Sequence, residues 1–501
     1  MKNTTRILVN TLAQYLRTGA NVVLSLYATR LILEALGSNQ YGIYTLVGGI
    51  VSMLSFFTNA LTTTTQRYLS YNSSQNNIKI LKKYFLNSVV IHATFGSIIL
   101  ILLLIVQPLL FSGFLNIEPQ YISAAKWVFF AIAFMLFTAM LTSPYRAVLI
   151  SRENIVFLSL IDICDGILKL LIGFGLFYFD ENRLIWYAIL MTGVSFFNLL
   201  TIGLYAIIKY PESRVFNLHY LSKKKIKELT FFAGWTIYGT LCLFGRVQGV
   251  AIVLNKFFNT IINAAYGIAL QINSALGAIS GALQTAISPQ LIKSEGADNR
   301  NKMLLISETG CKISFILLTI VGFPIIFNID YVLKLWLGTV PEYCSFFCII
   351  LIISNLVDQL TVGFNNSMNA IGKIKSYNLI INTLKFCTTF ILAFLLYTGI
   401  DLQIAFLAYL IIEIIGSGIR LILCHNATGL NIKSYLSGVL GRLFIPTLII
   451  GLLYWFNGAF TTELWSKLLL FFLATFLYLG IIYWIGLNSN EKKLVKSLLK
   501  R

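Results

Sequence analysis

The chain is a succession of about fourteen apolar segments, each long enough for a helix that crosses a hydrocarbon core of about 30 Å. No connector between them is long enough to fold as a soluble domain. Hydrophobic residues make up 57% of the chain and charged residues 11%, against about 25% charged in soluble proteins. We therefore predict an all-α integral membrane protein. The predicted spans are 8–32, 40–63, 84–110, 121–145, 154–178, 184–208, 230–254, 260–288, 304–328, 343–365, 376–398, 402–424, 435–456 and 465–487.

The formal charge of +19 raises the question of nucleic-acid binding, and the placement of the charges argues against it. With the N-terminus in the cytoplasm, most lysines and arginines fall in cytoplasmic loops and at the two termini. External loops hold Arg183, Lys256 and Lys334, together with acids such as Glu34 and Asp401. This positive-inside asymmetry predicts that both termini lie in the cytoplasm and that a basic face lies against the phospholipid headgroups. The first segment is too polar for a signal peptide, so we expect it to be retained.

The longest cytoplasmic connector, residues 209–228, divides the chain into two halves of six helices, followed by two further helices. The triplet Tyr41-Gly42-Ile43 recurs as Tyr266-Gly267-Ile268 at the corresponding point of the second half. Both halves start in the cytoplasm, which predicts parallel repeats around a central cavity. The predicted domains are 1–215 (helices 1–6), 216–430 (helices 7–12) and 431–501 (helices 13–14 with a basic tail).

Charged residues inside the spans are the strongest pointers to a functional site. A charge at mid-bilayer costs at least about 2.5–3.5 kcal/mol, so such groups usually face an internal cavity. Lys126, Lys312 and Lys467 lie close enough to span ends for their ammonium groups to reach the interface. The other basic residues within spans are Arg17, Arg30, Lys169, Arg246, Lys385, Arg420 and Arg442, and the acidic ones are Asp162, Asp165, Glu308, Asp358 and Glu413.

Polar stripes on helices 1, 7 and 8 accompany these charges. Arg17 and Arg246 have no acidic partner in their own helices, so we expect them to line a water-filled cationic cavity. Close packing by small residues is an equal alternative for the stripe on helix 8. The predicted polar lining consists of Gln14, Asn21, Gln248, Gln271, Ser274 and Gln284.

The acidic residues within spans give candidates for a coupling ion. Asp165 and Lys169 are four apart on helix 5 and can pair, which leaves Asp162 as a candidate proton or coupling-ion site. Asp358 has no cation nearby in its own helix and is a second candidate, although a cation from another helix could equally neutralise it. Glu413 and Arg420 are seven apart on one helical face, which favours a structural pair.

No spacing of histidines or cysteines indicates a metal site, and we predict neither a metal nor a cofactor. The three histidines are isolated along the chain, and the seven cysteines lie in or beside apolar spans, as buried inert thiols do.

Several of these residues follow the order seen in one transporter family. A polar first helix, Arg30, Leu36-Gly37 before Tyr41-Gly42-Ile43, and the run Thr65-Gln66-Arg67-Tyr68 resemble the start of Wzx-type polysaccharide flippases of the multidrug/oligosaccharidyl-lipid/polysaccharide (MOP) exporter superfamily. The arrangement of six, six and two helices, with Pro289 ending helix 8, is similar as well.

The resemblance implies a protein of the bacterial inner (plasma) membrane. It also implies alternating-access transfer of an undecaprenyl-diphosphate-linked oligosaccharide from the inner to the outer leaflet, for O-antigen, capsule or exopolysaccharide synthesis. The family's cationic cavity would then correspond to Arg17, Arg30 and Arg246, with Lys169 and Lys385 as further members. Helices 13 and 14 would shape a groove for the lipid tail, near Arg442. A polysaccharide polymerase is a possible partner.

Two other transporter functions and one enzyme function compete with this interpretation. A cation-coupled multidrug antiporter of the same superfamily shares the architecture, but a site for cationic drugs should be acidic. A lipid II flippase differs only in its cargo. A membrane polysaccharide polymerase should carry a large external catalytic loop, whereas the external loops here are short.

Overall fold

The structure, a computed structural model, describes residues 3–73, 77–114, 117–179, 181–214, 217–258, 260–337, 339–458, 464–488 and 491–492. These residues form helices and connecting turns, and no β-strand occurs among them. The all-α prediction is confirmed. The backbone contacts divide the chain into two compact units, which we call the N-unit (Met1–Thr240 with Ile292–Asp298) and the C-unit (Leu241–Leu291 with Asn299–Arg501).

The boundary between the units passes through two long helices. The helix α7 (Lys223–Phe257) belongs to the N-unit up to Thr240 and to the C-unit from Leu241. The helix α8 (Thr260–Gly296) belongs to the C-unit up to Leu291 and to the N-unit from Ile292. The predicted domain boundaries at residues 215 and 430 were based on the repeat in the sequence. A division by backbone contacts does not test that repeat, so these boundaries stay a prediction. Besides the start of α7 and the end of α8, the N-unit contains α1 (Asn3–Ser52), α2 (Ser55–Ser73), α3 (Ile78–Leu109), α4 (Ile122–Ser151), α5 (Ile155–Gly175) and α6 (Arg183–Lys209).

The C-unit adds ten helices to its parts of α7 and α8. They are α9 (Arg300–Phe327), α10 (Ile329–Leu337), α11 (Cys344–Gln359), α12 (Val362–Ile371), α13 (Ile374–Tyr377), α14 (Thr383–Tyr397), α15 (Leu402–Thr428), α16 (Ile432–Tyr435), α17 (Gly441–Gly458) and α18 (Leu464–Ile481). Short π-helical stretches at Asn378–Asn382 and Leu436–Leu440 join α13 to α14 and α16 to α17, so each pair runs as one rod.

In the described part of the chain, 9 helices are long and apolar enough to cross a membrane, or 10 when the bent pair α11–α12 counts as one span. The other four predicted spans are helical, but they are not long and apolar enough to be identified as membrane spans by composition alone. The second predicted span, 40–63, is divided between the end of α1 and the start of the polar helix α2. The eighth corresponds to α8, which is rich in polar residues, and the fifth to α5, which contains three charges. The described apolar part of the last span, Phe471–Gly486, is short. The chain is therefore a multi-pass membrane protein.

Three predicted helix ends differ from the structure. The break after the first span is a kink at Gly37, whose φ of 74° and ψ of 165° interrupt an otherwise continuous α1. A left-handed φ of this kind favours glycine, which lacks a Cβ. The predicted span 121–145 lies within α4, which continues to Ser151, and α8 continues past Pro289 to Gly296. The prediction that Pro289 ends helix 8 was wrong, because neighbouring groups in a membrane bundle can replace the lost hydrogen bond.

The first and fifth helices pack closely because glycines lie at their contact. A Cβ built on Gly166 of α5 would stand 2.9 Å from the Leu24 Cδ1 atom and 3.2 Å from the Asn21 Oδ1 atom of α1. Small residues allow two helices in a membrane to approach in this way. The approach matters for function, because it brings the polar face of α1 against the charged face of α5.

We expect Gly166→Val to lower the stability of the protein by about 1–3 kcal/mol, since the added methyl groups would push α1 away from α5. Thermal unfolding in detergent measures the effect. Gly193→Val in α6 is the matched control, because a Cβ at Gly193 meets no atom within 4 Å. Equal losses for the two variants would show that the helix approach at Gly166 is not critical.

Candidate functional site: two charged clusters within the helices

The N-unit contains a cluster of charged side chains on α1, α4 and α5. The Asp162 carboxylate accepts hydrogen bonds from Arg17 of α1, at 2.7 Å, and from Arg146 of α4, at 2.8 and 2.9 Å. Two guanidinium groups therefore share one carboxylate. Neighbouring Asp165 pairs with Lys169 at 2.7 Å and accepts a hydrogen bond from Asn198 of α6, also at 2.7 Å.

The N-unit cluster (Arg17, Arg146, Asp162, Asp165 and Lys169) holds three cations and two carboxylates. It is also accessible, since the side chains of Arg17 and Arg146 are 29% and 30% exposed. Charge-assisted bonds from arginine to a carboxylate or a phosphate share the same geometry. The two arginines are therefore held in place by Asp162 while part of each guanidinium stays available to an anionic ligand.

The C-unit contains a second and longer network. The Glu413 carboxylate of α15 pairs with Arg246 of α7 at 2.9 Å and with Lys385 of α14 at 2.5 Å. Lys385 also pairs with Asp358 of α11 at 2.9 Å, and Asp358 pairs with Arg420 of α15 at 2.8 Å. Five charged residues from four helices thus alternate in sign along one chain of contacts.

The C-unit network (Arg246, Asp358, Lys385, Glu413 and Arg420) is enclosed. The side chains of Arg246 and Glu413 are 5% and 4% exposed, and the Arg246 guanidinium lies 3.5 Å from the centre of the Tyr409 ring. Buried ion pairs of this kind hold helices in one arrangement, because breaking them leaves an uncompensated charge. The network therefore couples four helices, and Asp358 is its most exposed side chain, at 24%.

These contacts decide between the alternatives left by the sequence. A cation from another helix neutralises Asp358, and in fact two cations do so, Lys385 and Arg420. The expected Asp165–Lys169 pair is present. Glu413 and Arg420 do not form the structural pair expected from their spacing, because each pairs with a residue on another helix.

The predicted polar lining falls into different environments. Gln248, Gln271 and Ser274 are exposed, as is Arg30, which by helical rise lies about 20 Å along α1 from Arg17. Gln284 donates a hydrogen bond to Ser314 at 2.9 Å and accepts one from Asn366 at 2.8 Å.

On α1, the side-chain oxygens of Gln14 and Asn21 are buried and make no hydrogen bond within the described part of the chain. The binding roles assigned to all the predicted site residues stay predictions.

Two charged residues have places that the sequence reasoning missed. The predicted span 121–145 stops one residue before Arg146, yet α4 continues to Ser151 and brings Arg146 to Asp162. The side chain of Lys312 is buried, and its ammonium group pairs at 2.9 Å with Glu491, which lies beyond the last predicted span. The side chain of Lys467 lies outside the described residues. No group of three or more His, Cys, Asp or Glu side chains that could hold a metal ion occurs where the structure describes the chain.

Comparison with known proteins identifies the fold. A MATE transporter in its bent conformation matches with a TM-score of 0.74 at 12% sequence identity, over 86% of this chain and 97% of that chain. An outward-facing multidrug resistance MATE family transporter of the MOP superfamily matches with a TM-score of 0.70 at 12% identity, over 85% and 95% of the two chains. This chain has the fold of the MATE transporters.

A third match has a TM-score of 0.69 at 13% identity and covers 86% of this chain and 96% of the other. It is a MOP superfamily transporter from Pyrococcus furiosus, for which a reversed polarity of the binding pocket is said to suggest a different function. No family model matches the sequence, and no curated protein matches it either.

Proposed function

We propose that this chain is a membrane transporter that moves an undecaprenyl-diphosphate-linked oligosaccharide between the leaflets by alternating access. The observation that carries the proposal is the pair of partly exposed arginines, Arg17 and Arg146, on the single carboxylate of Asp162. A diphosphate must exchange its hydration for cationic donors in order to leave the headgroup region. Arginine supplies such donors in bidentate geometry and with a permanent charge.

The balance of charge supports an anionic cargo in both units. The N-unit cluster has Arg17, Arg146 and Lys169 against two carboxylates, and the C-unit network has Arg246, Lys385 and Arg420 against two carboxylates. Each cluster thus contains three cationic side chains and two acidic side chains. A site for an organic cation would require the opposite balance.

An apolar groove in the C-unit fits the lipid part of the proposed cargo. A cavity of about 960 Å³ lies between α9 and α17 and is lined by Phe315, Phe323, Phe327, Leu448 and Trp455, among other apolar side chains. Gly441 and Leu443, on either side of Arg442, belong to the same wall. Phe444, Leu448 and Trp455 are exposed, so the groove is open at the surface, where a polyprenyl chain could lie.

A cation-coupled multidrug antiporter is the second candidate function, and the solved structures support it more directly than they support the flippase. All three reported matches are MATE or MOP transporters, and one is described as a multidrug resistance protein. A shared fold nevertheless does not fix the cargo, which depends on the site. The excess of cations in both clusters is the reason to place the flippase first.

Complementation separates the two candidates. In a bacterium that builds a lipid-linked O-antigen unit but lacks its own flippase, we expect this chain to restore surface polysaccharide. The same cells should show no gain in resistance to cationic drugs and no faster efflux of ethidium. Faster ethidium efflux without surface polysaccharide, with the cognate lipid-linked unit supplied, would favour the multidrug antiporter instead.

A further inference from the structure

A polar cavity lies in the N-unit, at the end where α1 begins and where α4 and α6 finish. It encloses about 460 Å³, within the range of about 300–1,000 Å³ typical of small-molecule sites. Its lining includes the cations Arg152, Lys209 and Lys293, and one carboxylate, Glu153. The lining therefore has three cationic side chains and one carboxylate, and the residues of the cluster around Asp162 do not belong to it.

The walls of this cavity are fixed by contacts among its own residues. Glu153 has a left-handed φ of 58°, and its carboxylate pairs with Lys293 at 2.6 Å while its carbonyl oxygen accepts a hydrogen bond from Asn10 at 3.1 Å. Arg152 pairs at 2.6 Å with Glu212, which is itself buried. A non-glycine residue keeps such a backbone only where its surroundings hold it there, and such residues concentrate at functional sites.

Lys209 differs from the other two cations because it contacts an aromatic residue rather than an acidic one. Its ammonium group lies 2.7 Å from the Tyr205 hydroxyl and 5.0 Å from the centre of the same ring. Tyr205 is held by stacking on Phe157, with ring centres 3.6 Å apart, and by a hydrogen bond from Asn154. The lysine is thus positioned by a rigid neighbour, and no carboxylate among the described residues matches its charge.

The start of α5 adds a further source of positive electrostatic potential to the cavity. Asn154 is the N-cap residue, yet its side chain makes no capping hydrogen bond and instead donates to the hydroxyls of Tyr205 and Tyr210. The side chain of the N-cap residue therefore does not offset the positive end of the helix dipole at Val156, which lines the cavity. Cations on three elements around a helix start form a setting that suits the oxygens of a phosphate group.

From this geometry we propose that the cavity lined by Arg152, Lys209 and Lys293 binds a phosphate group, from an anionic phospholipid headgroup or from a soluble phosphate compound. The site goes beyond the proposed transport function and does not depend on the identity of the cargo. By the predicted topology it lies at the cytoplasmic surface, where anionic lipids and soluble phosphates are both present.

The test uses the purified full chain in detergent and follows its thermal unfolding with added phosphatidylglycerol, phosphatidylcholine or inorganic phosphate. We expect phosphatidylglycerol or phosphate to stabilise the protein more than phosphatidylcholine does. Lys209→Gln should weaken the apparent affinity about tenfold, which is the effect of losing one charge-assisted contact. Lys209→Arg should keep the affinity near that of the unchanged protein.

Lys79→Gln is the matched control, because Lys79 is an exposed lysine of α3 in the same unit and does not line the cavity. Stabilisation by phosphatidylglycerol alone would identify a lipid headgroup, and stabilisation by inorganic phosphate would identify a soluble ligand. The proposal is overturned if neither ligand stabilises the protein, if Lys209→Gln responds like the unchanged protein, or if Lys79→Gln loses as much affinity. Complementation by these variants reports on transport separately, so the two proposals can fail independently.

Discussion

Replacement of Glu413 by glutamine is expected to destabilise the protein by about 3–5 kcal/mol, the range measured when one partner of a buried ion pair is removed. Glu413 is the link between Arg246 and Lys385, and its side chain is almost completely buried. Without its charge, three cations of the C-unit network would face the single carboxylate of Asp358. We expect the loss to appear as a lower unfolding temperature and a lower free energy of unfolding in detergent.

The control for this prediction is Asp165→Asn, which removes a carboxylate from the partly exposed pair with Lys169. Exposed pairs are typically worth less than about 1 kcal/mol, so this variant should cost far less. The double variant Arg246→Met, Glu413→Leu should recover part of the stability, because it removes both charges and leaves apolar side chains of similar size. A cost for Glu413→Gln no larger than that for Asp165→Asn would contradict the structural role of the network.

Removal of the two arginines from the N-unit cluster is expected to abolish transport without loss of folded protein. Arg17→Gln and Arg146→Gln would leave Asp162 unpaired, so the informative variant also carries Asp162→Asn and is neutral at all three positions. Loss of two charge-assisted contacts to a diphosphate should lower its affinity roughly a hundredfold. Restoration of surface polysaccharide, normalised to the amount of protein in the membrane, measures the effect.

Two further variants separate binding from structure in this cluster. Arg17→Lys with Arg146→Lys keeps both charges and should retain part of the activity, although lysine loses the bidentate geometry. Asp162→Asn alone keeps both arginines and should retain binding of the anionic cargo. A loss of transport in Asp162→Asn as severe as in the neutral triple variant would instead support the coupling-ion role predicted for Asp162.

The sequence predicts the membrane class and most of the helices because long apolar runs depend on composition alone. The kink at Gly37 also falls where the Leu36-Gly37 pair indicates an interruption. The continuation of α4 past residue 145, where the predicted span ends, is not visible in the same way, because other helices of a bundle can satisfy the backbone group that Pro144 leaves free. Arg146 lies in this continuation and was therefore missed.

Partners of the charged residues are harder to predict than their presence in the spans. Asp358 has no cation near it in its own helix, and its two partners, Lys385 and Arg420, lie 27 and 62 residues away in sequence. Lys312 is similar, since its partner Glu491 lies beyond the last predicted span. Pairings between helices depend on how the helices pack, and a single sequence does not contain that information.

Transport of a diphosphate-linked lipid by the purified protein is the most direct test of the proposed function. The chain would be reconstituted into vesicles with a fluorescent undecaprenyl-diphosphate-linked oligosaccharide, and a membrane-impermeant quencher would report its movement between leaflets. We predict that the unchanged protein accelerates this movement and that the neutral variant Arg17→Gln, Arg146→Gln, Asp162→Asn does not. No acceleration by a folded protein whose vesicles instead accumulate a cationic dye would contradict the flippase and favour the multidrug antiporter.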